Sequence, residues 1–157
     1  LANPFNMYEA VSMFNQLLKI ALFDFWVANE DRNANNSNLL YDIANTRLVP
    51  IDFGCIFNSA DFDFSMMQLT STDSILSSPL FRYLVQNVSK KRMQELHGDF
   101  DVSLSRCRLQ VNSIIEDLPS DWGITAETVS HKLKQLFELD WVEAVWNNFE
   151  ECLNENI

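Results

Sequence analysis

Residues 28–54 hold the side chains that could do chemistry in this sequence. The stretch reads ANEDRNANNSNLLYDIANTRLVPIDFG, and four of its asparagines fall within the six positions 33–38. An Asp-Arg pair precedes these asparagines, and the stretch turns apolar before it ends in Asp-Phe-Gly at 52–54. Carboxylate and amide oxygens are hard ligands of the kind that Mg²⁺ prefers. The stretch is therefore either a polar surface loop or part of a binding site.

The elements before and after the asparagines predict a long helix and a β-hairpin. Asn3-Pro4 is typical of a helix start. Apolar side chains then recur every three or four residues, at Tyr8, Val11, Phe14, Leu18, Leu22 and Phe25. We expect this helix to end near Val27, before a polar loop. Two short apolar runs, 39–41 and 47–51, follow at a spacing that suits a hairpin.

The rest of the chain predicts an irregular loop followed by helices. Residues 55–78 mix Phe and Met with Ser, Thr and Asp, which is typical of a functional or partner-ordered loop. Helix starts are predicted at Ser78-Pro79, which would bring Leu80, Leu84 and Val88 into line, and at Thr125. Leu104, Cys107, Val111 and Leu118 would line a further helix that ends before Pro119.

Two more helix signals lie in this half of the chain. Asp140 with Glu143 predicts a capping box for the last helix, whose buried stripe would include Val145 and Phe149. His97, directly before Gly98, is expected near the C-terminal end of a helix.

Composition excludes several classes of function. The 157 residues are 47% apolar and 12% aromatic, which is enough for the core of one domain. The net charge of −11 opposes direct binding of nucleic acid. Cys55, Cys107 and Cys152 are far apart and form no CxxC pair, which favours a reducing, cytoplasmic location over a zinc site or a disulfide framework. No apolar run has membrane-spanning length.

The order of the features in residues 28–54 resembles the catalytic loop and metal-binding motif of the protein-kinase-like fold. An Asp-Arg pair follows the predicted helix, an asparagine lies five residues past that aspartate, and a hairpin runs into Asp-Phe-Gly. More specifically, FDFWVANEDR at 23–32 and VPIDFG at 49–54 are similar to the HipA-like kinases. Asp-Phe-Gly alone would occur by chance in about one chain in fifty of this length. The joint pattern would occur in about one in tens of thousands.

This resemblance implies ATP and Mg²⁺ as cofactors and a role for each polar residue of the motif. Asp31 would accept or orient the proton of the acceptor hydroxyl, and Arg32 would support its ionised state. Asn36 and Asp52 would be the metal ligands.

The resemblance also assigns the apolar neighbours of the motif. Ile51 would border the adenine pocket, Phe53 would pack behind the metal-binding aspartate, and Gly54 would let the chain turn sharply.

Simpler interpretations stay open for the same residues. Asp31 and Arg32 could form an ion pair at the end of the helix, and Asp52 could be an ordinary turn residue. Asn33, Asn35 and Asn38 compete with Asn36 for the metal, and only the five-residue offset favours Asn36. Asp61, Asp63 and Asp73 belong either to a phosphorylatable activation loop or to a plain polar loop.

The predicted fold is one mainly α domain over residues 1–157, with a small β-hairpin, similar to the C-lobe of a kinase. Its segments would be the catalytic loop 28–38, the hairpin 39–51, the Asp-Phe-Gly motif 52–54, an activation-segment-like loop 55–78 and a helical remainder 79–157. The N-lobe is absent from this sequence, because three glycines (Gly54, Gly98 and Gly123) are too few for a glycine-rich phosphate loop. From the start at Leu1 rather than Met we expect a fragment or a processed product.

We therefore expect the catalytic lobe of a HipA-like serine/threonine or small-molecule kinase. As a transferase it would need an N-lobe from the rest of the protein or from a partner chain, and it would be nearly inactive alone. Its substrate would be a protein, and neither nucleic acid nor a membrane would be a partner. The alternative is a pseudokinase or helical interaction module, related to toxin-antitoxin systems, that binds a partner through its acidic surface or the 57–67 loop.

Overall fold

The structure, a computed structural model, describes residues 7–60, 62, 64–85, 88–119, 121 and 123–157. The helices in these ranges are α1 (Met7–Trp26), α2 (Ile56–Ala60), α3 (Pro79–Leu84), α4 (Lys90–Glu116), α5 (Ala126–Gln135) and α6 (Leu139–Asn156). Strands β1 (Leu39–Asp42) and β2 (Arg47–Pro50) form one antiparallel sheet, and two 3-10 turns span Ser71–Asp73 and Ile75–Ser77. The predicted mainly helical fold with a small hairpin is confirmed. The proposed helix start at Asn3-Pro4, together with Asp61 and Asp63, lies outside the described residues.

Helix α1 is the centre of the hydrophobic core. Leu17, Leu18, Ala21 and Phe25 are fully buried, and Phe25 meets Phe149 of α6 edge to face with ring centroids 5.8 Å apart. Elements from both halves of the chain, α3, α6 and β2, pack against α1. The helix that leads into the candidate site is therefore held by the whole domain.

The buried face of α1 differs from the predicted one at its beginning. The prediction holds for its later members, but Tyr8 is 83% exposed and Val11 is 38% exposed. At about 100° per residue, the buried side chains centre on a line through Ala10, Leu17 and Ala21. Tyr8 lies about 160° from that line, on the opposite face of the helix, and its predicted burial is wrong. The predicted burial of Val11 is also wrong, although Leu18 and Leu22 are buried at similar angles farther along the helix.

The Gln16 side chain fastens the hairpin to α1. Leu40 pairs with Val49 across the two strands. The Gln16 side chain of α1 accepts the backbone N–H of Leu48 at 2.8 Å and donates to the carbonyl of Thr46 at 3.1 Å. The end of β2, and with it the chain that continues to the Asp-Phe-Gly motif, is thereby fixed relative to α1.

The helix starts of the second half agree with the sequence at Thr125 but not at Asp140. The Thr125 hydroxyl accepts the backbone N–H of Thr128 at 3.1 Å and caps α5 as predicted. Helix α6 instead begins at Leu139, with Glu138 at its N-cap and no side-chain cap. The predicted capping box is wrong because the helix has already started before Asp140.

The predicted course of α3 and α4 is also partly wrong. Helix α3 does start after Ser78, whose hydroxyl accepts the N–H of Phe81, but it ends at Leu84. Val88 therefore does not continue its apolar stripe. His97 lies within α4 rather than at a C-terminus, since Gly98 does not interrupt that helix. None of the described helices is both long enough and apolar enough to cross a membrane.

Two indole groups tie the end of α1 to the last part of the chain. Trp26 Nε1 donates to the carbonyl of Leu136 at 2.8 Å, and Trp141 Nε1 donates to the carbonyl of Trp26 at 3.0 Å. The Trp26 ring also contacts Phe100 and Phe137 edge to face. These contacts fix the point from which the asparagine-rich loop departs.

Candidate functional site

The asparagine-rich loop begins with a reversal of the chain at the end of α1. Ala28 is fully buried and has a φ of 49°, in the left-handed region that side chains seldom adopt. The backbone N–H of Asn29 returns to the carbonyl of Asp24 at 2.9 Å. This turn directs the following residues back along the helix end.

Within the loop, Asp31 gathers two amide side chains. Its Oδ2 atom accepts hydrogen bonds from Asn36 Nδ2 and from Asn38 Nδ2, both at 2.9 Å. Asn33 instead shapes the loop, because its Oδ1 accepts the backbone N–H groups of Asn35 and Asn36 at 3.0 and 3.3 Å. Two of the four asparagines thus contact the predicted catalytic carboxylate.

The orientation of these amides leaves oxygens open on both predicted partners. Because Asn36 donates its N–H to Asp31, its own Oδ1 points away from that carboxylate, and no described group donates to it. Asp31 Oδ1 likewise accepts no hydrogen bond from the described part of the chain. Both side chains are half-buried. The pair therefore offers one amide oxygen and one carboxylate oxygen for an external ligand.

Arg32 lies beneath this cluster and is fully buried. Its Nε atom donates to Asp24 Oδ2 at 2.9 Å, so its ion pair is with a residue of α1. Its Nη1 atom donates to the carbonyls of Asn38 and of Ile51, the latter at 3.1 Å. The alternative of an Asp31–Arg32 ion pair is wrong for the described contacts, because Arg32 is directed to Asp24.

Asp24 is buried among apolar residues of α1 and is 1% exposed. Its two oxygens accept from Arg32 Nε and from Asn29 Nδ2, each at 2.9 Å. Burial raises the pKa of Asp24 from 3.8 to about 6, although the Arg32 charge and the two hydrogen bonds lower it. Asn29 Oδ1 and Arg32 Nη2 are buried without a hydrogen-bond partner in the described structure. The network is thus fully inside the protein and not fully satisfied.

The predicted metal-binding aspartate follows β2 directly. The Ile51 N–H donates to the carbonyl of Asn38 at 2.9 Å, which joins this end of the hairpin to the loop. Asp52 is exposed, has a φ of 55°, and accepts the N–H of Gly54 on its Oδ1 at 3.2 Å. It is therefore both a turn residue and a carboxylate that faces solvent.

Glycine is favoured at position 54 by the space that its neighbour needs, and not by the sharp turn that was predicted. The sharp turn rests on the left-handed backbone of Asp52, whereas φ of Gly54 is not in that region. A Cβ atom on Gly54 would lie 3.3 Å from Asp52 Oδ1. Glycine therefore leaves room for the Asp52 carboxylate.

Two apolar side chains flank Asp52 and stay partly open to solvent. Ile51 is 38% exposed and Phe53 is 39% exposed. The Phe53 ring contacts Phe23 of α1 edge to face at 5.8 Å, and the Arg32 guanidinium lies 5.1 Å from its centroid. Phe53 thus packs on α1 and covers the buried arginine.

After Gly54 the backbone forms hydrogen bonds with the residues at the beginning of the loop. Phe57, Asn58 and Ser59 have φ values of 58°, 52° and 65°, so the short α2 is not a regular helix. The N–H groups of Phe57 and Asn58 donate to the carbonyls of Val27 and Ala28 at 2.8 and 3.0 Å. The two ends of the stretch 28–54 are therefore neighbours.

Cys55 lies within the electrostatic influence of the acidic side chains of the loop and of Asp52. Burial raises the pKa of the Cys55 thiol, and the negative charges of Asp31, Glu30 and Asp52 raise it further. Both predicted functional carboxylates thus act on the same thiol. The Ser59 hydroxyl donates to Glu30, which adds a further contact across the same ends.

Neither the cavity between α1 and α4 nor a cluster of metal-binding side chains adds to the predicted site in the described part of the chain. A cavity of about 220 Å³ lies between α1 and α4, where Leu22, Trp26, Leu96 and Phe100 line it, and it does not include the predicted site residues. Among the described residues, no group of three or more His, Cys, Asp or Glu side chains could hold a metal ion.

The sequence reasoning missed three residues of this arrangement: Asp24, Asn29 and Asn38 as a donor to Asp31. One signal was visible, because Asp24 is a charged residue in the otherwise apolar end of a helix. A charge in such a position needs a partner, and Arg32 supplies it.

Comparison with known proteins places the chain in one family. A family model described as "HipA-like kinase" matches residues 4–152. No curated protein and no solved structure matches the chain.

Proposed function

Because the chain belongs to the HipA-like kinase family, we propose that it is the C-terminal catalytic lobe of an ATP-dependent kinase. It would transfer the γ-phosphate of Mg-ATP to a hydroxyl, most simply that of a protein serine or threonine. The observation that carries the proposal is the 2.9 Å contact between Asp31 and Asn36, whose five-residue offset first indicated a kinase loop.

Asp31 is suited to orient the acceptor hydroxyl. Asn36 and Asn38 hold its Oδ2 atom from one side, so the carboxylate cannot rotate freely. Its Oδ1 atom stays available to accept the proton of a hydroxyl in the described structure. Phosphoryl transfer asks little more of this residue than position, because most of the catalysis comes from alignment and charge stabilisation.

Asn36 and Asp52 are suited to hold Mg²⁺. Their free oxygens are hard donors, one neutral and one anionic. Asp31, Glu30 and Asp52, whose charges raise the pKa of Cys55 in addition to burial, supply negative charge that a cation would offset. Bound there, Mg²⁺ would supply charge neutralisation for the phosphates of the nucleotide. The two-ligand set is typical of magnesium sites in which phosphates and waters complete the coordination.

Ile51 would border the adenine pocket, and Phe53 would pack behind Asp52. The partial exposure of Ile51 next to Asp52 gives the adenine an apolar surface to cover. The opposite wall, with a glycine-rich loop and a phosphate-binding lysine, would come from the rest of the protein or from a partner chain.

The experiment compares phosphoryl transfer by the full-length protein with that of matched variants. Asp31→Ala should lower kcat by about 10²- to 10⁴-fold, the range of general-base contributions. Asn36→Ala should raise the Mg²⁺ concentration needed for half-maximal rate. Asn35→Ala is the control, because Asn35 is exposed and its side chain makes no described hydrogen bond.

These variants separate catalysis from folding. Circular dichroism and the unfolding midpoint should be unchanged in all three, since the altered side chains are exposed or half-buried. If Asp31→Ala retains the native rate of autophosphorylation, the assignment of the site is wrong.

A second candidate function is that of a non-catalytic interaction module. It is favoured by Phe64 and Met67, which are 72% and 67% exposed on the loop that follows α2. The Asn58 side chain brackets this loop by accepting the Met67 N–H at 2.8 Å and donating to its carbonyl at 3.3 Å. A partner that binds here should bind Asp31→Ala as well as the native protein, and Met67→Ser less well.

A further inference from the structure

The buried Asp24–Arg32 pair connects the two halves of the candidate site, and neither side chain forms a hydrogen bond with the predicted ligands Asn36 and Asp52 in the described structure. Arg32 donates to the carbonyl of Asn38, at the end of the loop, and to that of Ile51, one residue before Asp52. Asp24 holds the other edge of the guanidinium at 2.9 Å. The guanidinium therefore spans the gap between the two segments that carry the predicted ligands.

Stability does not explain the presence of this pair. Burying two charges often costs more than their attraction returns, and apolar replacements of similar volume are commonly neutral or stabilising. The raised pKa of Asp24 agrees with this, because the cost of burying its carboxylate outweighs the attraction of the Arg32 charge. Asn29 Oδ1 and Arg32 Nη2 add two buried atoms without a partner among the described residues.

The geometry does explain it. A guanidinium has a rigid, planar fork of donors that a lysine cannot reproduce. With its Nε on Asp24, its Nη1 can reach two carbonyls from different segments at once. Its other contacts are also at the site, since Phe53 covers it at 5.1 Å.

We infer that Asp24 is a positioning residue of the proposed kinase site. Its carboxylate fixes Arg32, and Arg32 sets the separation between the loop 31–38 and the chain that leads to Asp52. The inference rests on the proposed function for its meaning, but the clamp itself is a statement about structure and can be measured without catalysis.

The test uses the full-length protein and three variants. Asp24→Asn weakens the hold on Arg32, and Arg32→Lys keeps the charge but lacks the fork. Asp99→Asn is the control, because it breaks an exposed ion pair between α4 and Lys19 of α1, at 2.7 Å, that takes no part in the contacts of Asp24 or Arg32. The readouts are amide hydrogen exchange at Ile51, whose N–H donates to Asn38, and kcat, KM and the Mg²⁺ requirement.

Both Asp24→Asn and Arg32→Lys should speed exchange of the Ile51 amide by at least tenfold, while exchange in α6 stays unchanged. They should lower kcat at least tenfold and raise the Mg²⁺ requirement, with KM for the acceptor within twofold of native. A merely structural role would not separate kcat from KM in this way. The control should change none of these quantities.

Two outcomes would overturn the inference. One is that Ile51 exchange and kcat stay within twofold of native in both folded variants. The other is that both variants fail to fold, because the pair would then be a structural requirement. Faster Ile51 exchange in a full-length protein that shows no phosphoryl transfer, even with native Asp31, would support the clamp and reject the proposed function.

Discussion

Replacing Asp24 by asparagine should change how the stability of the protein depends on pH. The carboxyl of Asp24 has a pKa of about 6 in the folded chain, against 3.8 as its ordinary value. Ionisation is therefore harder in the folded state than in the unfolded state. The free energy of unfolding should fall as the pH rises from about 4 through about 6, and this contribution should be constant above that range.

The magnitude follows from the size of the shift. A rise of about two pKa units corresponds to about 3 kcal/mol. No discount for solvent screening is needed, because Asp24 is 1% exposed and its charged neighbour Arg32 is fully buried. Asparagine has the same shape and cannot ionise, so the variant should lack this pH-dependent loss. The difference in unfolding free energy, variant minus native, should therefore rise by up to about 3 kcal/mol between about pH 4 and pH 7, and this rise adds to the pH-independent cost of leaving Arg32 without its carboxylate partner.

The assay is urea unfolding followed by tryptophan fluorescence across this pH range. The quantity of interest is the difference in unfolding free energy between variant and native protein, because other carboxylates cancel in it. Asp99→Asn is a control of opposite sign: the hydrogen bond and charge of Lys19 lower the pKa of Asp99, so its contribution disappears as the pH falls. A difference curve for Asp24→Asn that is flat, or that slopes the other way, would refute the reasoning.

Two further predictions concern the loop and the core. Asn38→Ala should lower kcat about tenfold while Asn35→Ala does not, because Asp31 loses one of the two amides that hold its Oδ2; equal rates would show that Asn38 does not hold the carboxylate. Phe25→Ala should lower the free energy of unfolding by about 3–5 kcal/mol, since Phe25 is fully buried against α6. Leu109→Ala, at a side chain that is 86% exposed, should change it by less than about 0.5 kcal/mol in the same denaturation assay.

The parts of the structure that could be predicted are those with local signals. The hairpin follows from two apolar runs and the turn between them, and the Thr125 cap follows from a hydroxyl three residues before the N–H it accepts. The contact between Asp31 and Asn36 spans five residues of one loop. In each case the partners are close in sequence, so residue type and spacing are sufficient.

A charge in the apolar end of α1 indicates that Asp24 needs a partner, but the identity of that partner, Arg32, could not be predicted, because the pairing depends on the direction of a chain reversal. That reversal requires a left-handed backbone at Ala28. Alanine carries no turn signal, and the conformation is stable only because Ala28 is fully buried and its carbonyl accepts the N–H of Asn58. The left-handed backbone of Phe57 has the same origin. Tertiary contacts determine both, and composition gives no sign of them.

The failed helix signals have a related cause. Asp140 and Glu143 fit a capping box, but α6 begins at Leu139, so that Asp140 lies in its first turn. An acidic residue there still interacts favourably with the helix dipole. Gly98 similarly lowers helix propensity without ending α4, which continues to Glu116.

The indole bonds of Trp26 and Trp141 have a consequence for the order of events during synthesis on the ribosome. The partners of the first bond are separated by 110 positions in the sequence, and those of the second by 115. The asparagine-rich loop therefore leaves the ribosome long before Leu136 and Trp141, whose bonds fix the end of α1, have been synthesised. Both indole bonds can form only once α6 is free of the exit tunnel, which makes the fixing of the end of α1 a late step in the maturation of the chain.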